Sequence, residues 1–504
     1  MDNSAPAHLA SNLDPRPRLT LPNILLYERL DRISGGLLLA MAIFSPWAFG
    51  TTQTWSIWVM NVAGYGLAVL LAGKWFIRHQ LGHRPARWNQ PLDPTPARLK
   101  PDFTTCLGFL TLLLLAYGLI AALNARADYN PGQLTLKYRT YLTWLPHSYD
   151  RQASFEVWFQ YLAWAGSFWA LRDWLLGMTP EEARMAKSAH ASSGPLPTVP
   201  VRVELLLWIL VVNGALLGLE GIIQRLEGSG KLLFYVKPRV NPEAETQFGP
   251  FAYRSNAAQY LNLIWPVALG FWWWLQRAGA QRRQRWTNHW LLACAIIIAA
   301  CPIISTSRAG ALTSIALFVV AVGILISGRR TDGLAKLAVL GVFSLSLALG
   351  AWFGWQSLNP RLAALGEGYR TRELMYKTAR LIADENPVFG TGPGTFEHVF
   401  QLYRQSLDEY WPAQLHNDWL ELLLTFGWVG FALILLALGL IIAHGFRSQG
   451  IPASRRFIWL VWLALAGCLL QARWDFPFRV YSVVFLFLML CAMLTTLSRA
   501  GRGR

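Results

Sequence analysis

Charge is scarce in this chain. Of its 504 residues only 14% are Asp, Glu, Lys or Arg, against about 25% in an ordinary soluble domain. With 54% hydrophobic residues, water is excluded as the main solvent of the fold. Cysteine is rarer still. Cys106, Cys294, Cys301, Cys468 and Cys491 all fall inside apolar runs and form no CxxC pair or Cys/His cluster, which argues against a disulfide framework or a zinc site. Acidic residues are also few, 28 against 45 Lys plus Arg, for a formal charge of +17. Such a surplus can signal nucleic-acid binding, but here the basic residues are divided among short connections between apolar runs. Membrane topology explains them better, and no nucleic-acid partner is expected.

What the chain has in quantity is apolar runs of bilayer-spanning length. They lie near 33–50, 55–77, 103–124, 154–171, 204–224, 256–275, 289–304, 311–327, 337–356, 420–444, 457–472 and 482–497. The fold class expected is an all-α integral membrane protein with about 12 transmembrane helices. The first run follows a polar lead-in containing Asp2, Asp14, Arg16 and Arg18, too long for an ordinary signal peptide. The expected organisation is a cytoplasmic tail over 1–32, spans one to nine over 33–356, an extracytoplasmic helical loop over 357–419, and the last three spans with a cytoplasmic tail over 420–504. The side follows from charge. The short connections 276–288, 328–336 and 444–456 carry Arg277, Arg282, Arg283, Arg285, Arg329, Arg330, Lys336, Arg447, Arg455 and Arg456 against Asp332, so they face the cytoplasm, as do both termini. The 25 Trp residues gather near the ends of runs, as in GFWWWL at 270–275, which suits rings anchored at the headgroup level.

The opposite face is the elaborated one. Its longest connection, 357–419, shows helical spacing at Leu374, Thr378, Leu381 and Ile382, and again at Phe396, Val399, Phe400 and Tyr403, with NPVFGTGPG at 386–394 as the break between two amphipathic helices. Arg308 lies in STSRAGA, between runs that would together measure roughly 57 Å as one helix. The chain must therefore turn there, setting a guanidinium beside a helix start that favours anions. Arg254, with Asn256 beside it, abuts the start of the sixth span in the same way. Each arginine alone also fits an interfacial snorkelling role. Together they can grip a doubly charged group such as pyrophosphate. Arg361, Arg370, Arg372, Lys377, Arg380 and Arg404 add positive potential in the long loop, Arg372 being the favoured ligand among them. His416 stands at the start of the tenth span in QLHNDWLELLL. An imidazole there can take a proton from an attacking hydroxyl, or can be structural. Asn417 or Asp418 can cap the helix or orient the ring. Glu220, near the outer end of the fifth span, is a costly acid at membrane depth or an interfacial one.

The motifs SRAG (307–310), FGPFAYRSNAAQYLNLIWPVALG (248–270), ENPVFGTGPGTFEHVFQLYR (385–404), HNDWLELLLTFGWVGF (416–431) and DFPFRV (475–480) resemble, in order and spacing, the O-antigen ligase and polymerase family. The first two hundred residues match it only as a hydrophobic pattern. The resemblance implies a GT-C-type glycosyltransferase of the bacterial inner membrane, acting on the extracytoplasmic face on undecaprenyl pyrophosphate-linked glycans, with no metal or other cofactor. It implies His416 as base, and Arg254 and Arg308 as ligands of the donor pyrophosphate, with Arg372, Asn256 and Asn417 as further substrate-binding candidates. SRAG replaces the commoner SRG, and Ser255 separates Arg254 from Asn256. Three acceptors fit: lipid A core for a ligase, a second lipid-linked glycan for a polymerase, and a protein hydroxyl for an oligosaccharyltransferase. The first outward loop, GTTQT at 50–54, lacks the acidic motif of metal-dependent relatives. The rivals are a 12-span transporter and an inactive assembly partner. Against a transporter, 78–100 shows no GxxxDRxGRR pattern and the halves show no repeat. Against an assembly partner stand the intact His416, Arg254 and Arg308.

Overall fold

The computed structural model describes residues 19–88, 103–192, 199–281, 288–327, 333–404, 412–447 and 455–497. The start of the tail and Arg282, Arg283, Arg285, Arg329 and Arg330, which carry much of the charge bias, lie outside them. In chain order the α-helices are α1 (Leu21–Trp47), α2 (Thr54–His79), α3 (Phe103–Leu123), α4 (Arg151–Leu176), α5 (Pro180–Ser192), α6 (Val201–Glu227), α7 (Arg254–Gln281) and α8 (Trp290–Ile304). They continue with α9 (Arg308–Ile326), α10 (Gly333–Ala363), α11 (Leu365–Glu385), α12 (Phe396–Leu402), α13 (Asp418–Arg447), α14 (Arg455–Gln471) and α15 (Tyr481–Leu497). Among the described residues the exception to all-α is one antiparallel hairpin, β1 (Ala127–Asn130) with β2 (Thr135–Tyr138).

Helices occupy each of the twelve predicted positions. Six of them, α2, α3, α6, α9, α10 and α13, are long and apolar enough to cross a membrane. The others are shorter or more polar, and α7 shows how the fold accommodates a more polar helix. Every residue from Arg254 to Trp274 is buried, so its polar groups meet protein rather than lipid. It packs most extensively against α8 and α14. Trp272, Trp273 and Trp274 belong to this core rather than to an interfacial belt, with Trp274 stacked on Phe457 at 5.0 Å and Arg456 over the Trp273 ring at 4.8 Å.

The first helix begins at Leu21, well before the apolar run at 33, because its charged turn is neutralised from afar. Asp31 meets Lys74 at 3.1 Å and Arg202 at 2.6 Å, while Asp173 meets Lys74 at 2.8 Å, Arg78 at 2.6 Å and Arg87 at 3.0 Å. Lys74 is fully buried between the two carboxylates. This network ties α1, α2, α4 and α6 at one end of the bundle.

At the other end the connections 124–150, 228–253, 305–307, 364–404, 412–417 and 472–480 interlock. Tyr149 N donates to Thr391 O at 2.8 Å, Asp418 N to Ala472 O at 2.9 Å, and Arg225 Nη2 to Ser305 O at 3.2 Å. The glycine string separates α11 from α12, as its turn chemistry predicts, and also inserts into α13. That helix is broken at Gly427 (φ 58°, ψ −174°), and the carbonyls released there accept from Thr391 N and Gly392 N, both at 2.9 Å.

Candidate active site

Two serines bring the candidate arginines' helices together. Ser307 is the N-cap of α9, its Oγ accepting from Gly310 N at 3.1 Å. The same Oγ lies 2.8 Å from Ser255 Oγ in the first turn of α7. Arg254 and Arg308 each flank one of these serines, so the two guanidinium-bearing residues start neighbouring helices at the same level. Gly310 permits the approach, since a Cβ there would lie 2.4 Å from Ala258 Cβ. Asn262 Nδ2 closes the seam on Gly310 O at 3.0 Å.

Both guanidinium groups are braced by backbone carbonyls. Arg254 Nη1 donates to Glu245 O, and Arg308 Nη1 to Ala364 O at 3.2 Å and Arg361 O at 3.5 Å. Carbonyls orient a guanidinium without cancelling its charge, so the potential at the two helix starts stays positive.

His416 sits immediately before α13 with φ +55°, in the left-handed region that few residues other than glycine adopt. Tyr376 of α11 holds it there, its hydroxyl donating to His416 O at 3.0 Å. Burial pushes the Tyr376 phenol above its usual pKa, so the hydroxyl stays a donor. The imidazole is 16% exposed. Its Nδ1 lies 3.4 Å from Asp475 Oδ1 and 3.5 Å from Arg372 Nη2, while Arg372 Nη1 donates to Trp474 O at 2.7 Å. A proton on Nδ1 faces the Asp475 carboxylate, which is only 2% exposed. That tautomer leaves the Nε2 lone pair free to accept a proton. The ring packs edge-on to Phe476 at 4.9 Å and to Tyr253 at 6.4 Å, and those two stack at 5.5 Å. Tyr253 immediately precedes Arg254, so an aromatic bridge connects the histidine to the arginine seam.

Of the remaining candidates, Asn256 is buried with its Oδ1 lacking a hydrogen-bond partner among the described residues, as are both polar atoms of Gln259 one turn on. Buried orphans of this kind mark places that a ligand or water completes. Asn417 caps α13, its Oδ1 accepting from Leu420 N at 3.3 Å. Asp418 accepts from Phe478 N at 2.7 Å. Neither orients the imidazole; Asp475 does, and the only sequence signal for it was its place at the head of DFPFRV. Glu220 lies outside this constellation beside Gly249, both its oxygens buried and without partners among the described residues. Lys377 pairs with Glu373 at 3.1 Å on the exposed face of α11.

Residues 293–435, from α8 to the middle of α13, match a family model described as O-antigen ligase. The match includes Arg308, Arg372, His416 and Asn417; Arg254, Asn256 and Asp475 flank it. No curated protein matches the chain.

Proposed function

We propose, from the match of residues 293–435 to the O-antigen ligase family model, that this multi-pass membrane protein transfers a glycan from undecaprenyl pyrophosphate to an acceptor hydroxyl. In this reading the fold is GT-C-like with twelve spans. The arginine and histidine end of the bundle faces the extracytoplasmic side of the bacterial inner membrane, and both termini face the cytoplasm.

The observation that carries the chemistry is His416, held in a strained backbone conformation with Nδ1 facing Asp475. The acceptor hydroxyl gives its proton to His416 Nε2 as its oxygen bonds to the anomeric carbon, and the bond from that carbon to the pyrophosphate oxygen breaks with inversion. Negative charge grows on the departing pyrophosphate, where Arg254 and Arg308 supply fixed positive charge. Asn256 Oδ1, buried and unpartnered, adds a polar contact at the donor. Arg372, anchored through Nη1 on Trp474 O, lends positive potential from the α11 side, while Asn417 contributes by fixing the start of α13.

The test is transfer by purified protein from an undecaprenyl pyrophosphate-linked glycan. His416→Ala is expected to lower kcat by about 10²–10⁴-fold, the usual span for a general base, with donor binding preserved. Full turnover by the variant would refute the base. Release of undecaprenyl pyrophosphate separates an enzyme from a transporter, which moves its solute without cleaving it. Lipid A core, lipid-linked glycan and protein hydroxyl are the acceptor classes to compare.

A further inference from the structure

One apolar turn of the cap is fastened at the depth where α3 leaves the bilayer. Helix α3 has 21 residues, about 31 Å at 1.5 Å each, which matches the thickness of a bilayer core. Its Phe109, Leu112 and Leu123 are exposed on the outer wall of the bundle, so Leu123 marks the boundary where hydrocarbon gives way to head groups. The next residue, Asn124, clamps a distant segment at that level. Its Nδ2 donates to Leu142 O at 2.8 Å and to Pro146 O at 3.1 Å, and its Oδ1 accepts from Leu142 N at 2.8 Å. Leu145 N donates to Leu142 O at 3.3 Å, closing a tight turn over 142–145. That turn presents Leu142, 51% exposed, and Trp144, 70% exposed. Hydropathy hides it, because it stands outside every apolar run of the chain.

We propose that the turn over 142–145 is an interfacial anchor, its indole and leucine seated at the boundary of head groups and acyl chains in the leaflet on the candidate-site side. Large exposed apolar side chains grouped together mark interaction surfaces, and Trp carries the amphipathic ring favoured at this depth. The clamp decides for lipid over other occupants. It holds the turn beside Leu123, so the turn continues the lipid-facing wall of α3, and the exposed side chains at the clamp are one indole and two aliphatic leucines rather than the flat rings with polar partners that a sugar requires. Behind the turn the chain runs into the framework of the site. The His147 ring lies 6.3 Å from Phe389, Tyr149 N donates to Thr391 O at 2.8 Å, and a Cβ on Gly392 would stand 2.5 Å from Ser148 Oγ. The glycine string at 386–394 therefore rests on the far end of the anchored segment. The anchor sets the level of that string, and with it the end of α11, relative to the bilayer.

The test is hydroxyl-radical footprinting, read by mass spectrometry, of the full wild-type chain in phospholipid nanodiscs at one copy per disc. The internal reference is Tyr235, 69% exposed in the connection 228–253. Trp144 should escape oxidation while Tyr235 reacts. Oxidation of both rings would put the turn in water, protection gained only on adding a soluble deacylated core oligosaccharide would give it to sugar, and protection gained only with two copies per disc would give it to a second chain; each overturns the proposal. Acyl chains brominated near the head group should quench tryptophan fluorescence less in Trp144→Phe than in wild type, and equal quenching would overturn the seating of the indole. The link to the glycine string is read by hydrogen exchange over 386–394, where Thr391 N and Gly392 N donate to Leu424 O and Thr425 O. Trp144→Asp, which puts a charge at the lipid boundary, should speed that exchange, whereas Trp144→Phe should leave it as in wild type. Exchange unchanged in Trp144→Asp would overturn the control of the string by the anchor.

Discussion

Ser255 Oγ and Ser307 Oγ stand 2.8 Å apart across the starts of α7 and α9, and this one contact sets the two candidate pyrophosphate arginines at a common level. The serines are not equivalent, because Ser307 also caps α9 through Gly310 N. Ser255→Ala removes an interhelical hydrogen bond, worth about 0.6 kcal/mol on average inside membranes. Ser307→Ala removes that bond and the cap, and should cost about 1–2 kcal/mol. A double-mutant cycle followed by unfolding in mixed detergents checks this, and equal costs for the two single variants would contradict the capping role.

Arg254→Gln and Arg308→Gln should each weaken the donor. A charge-assisted hydrogen bond contributes about 1.5–3 kcal/mol, so KM for the lipid-linked glycan should rise roughly 10–100-fold. Lysine should rescue poorly, since an ammonium lacks the two-pronged fork. Arg308→Gln also loosens α9 from the junction of α10 and α11, where Arg308 binds the carbonyls of Arg361 and Ala364. Thermal unfolding beside the kinetics distinguishes this loss from weaker binding. Donor affinity unchanged in both variants would remove the arginines from the pyrophosphate site.

Asp475→Asn tests the orientation of the imidazole. The amide keeps the volume but loses the charge facing His416 Nδ1 across 3.4 Å. It removes the preference for the Nδ1–H tautomer and the stabilisation of the imidazolium. The expected result is a fall in kcat of about 10–100-fold, the range of partners that orient histidine ligands, with donor KM unchanged. A shift in the lower limb of the kcat–pH profile would accompany it. A variant with wild-type kcat and profile would reduce Asp475 to a structural role.

Much of this arrangement was legible from local signals, and the rest depends on contacts between distant segments. The turn at Arg308 follows from length alone, since two apolar runs without a bend exceed the bilayer. The break between α11 and α12 follows from its glycines. The start of α1 was hidden because Glu28, Arg29, Asp31 and Arg32 interrupt the hydropathy, while the groups that neutralise Asp31 are Lys74 and Arg202 on other helices. The run Trp272–Trp274 reads the same whether it meets lipid or a neighbouring helix, and only the packing of α7 against α14 decides for burial. Asp475 lacked a local signature because its partner His416 lies on the far side of two helices in the sequence. The hairpin of β1 and β2 is short and mostly exposed, so it shows no alternating pattern.

Gly427 offers the most demanding test of how the loop and α13 are built together. Its φ of 58° with ψ −174° lies in a region nearly reserved for glycine, and an added Cβ would approach Val388 O to 2.4 Å and Gly390 N to 2.5 Å. Gly390 is the counterpart, with φ 68° and a Cβ position 2.5 Å from Gly427 N. Between them pass the bonds from Trp428 N to Pro387 O at 2.8 Å and from Thr391 N to Leu424 O at 2.9 Å. The Tyr117 hydroxyl of α3 lies within 2.8 Å of Phe389 O and 2.7 Å of Phe426 O. Alanine at either glycine therefore adds about 1–3 kcal/mol of backbone strain to a clash with main chain that cannot swing aside. Gly439→Ala, on the same helix with open space around its Cβ, should be close to neutral. If Gly427→Ala and Gly390→Ala keep the thermal stability of Gly439→Ala, the splice is not the joint described. If they lose it, transfer activity should fall with stability, because the spliced segment fixes the end of α11, the helix that presents Arg372 and Tyr376 to His416.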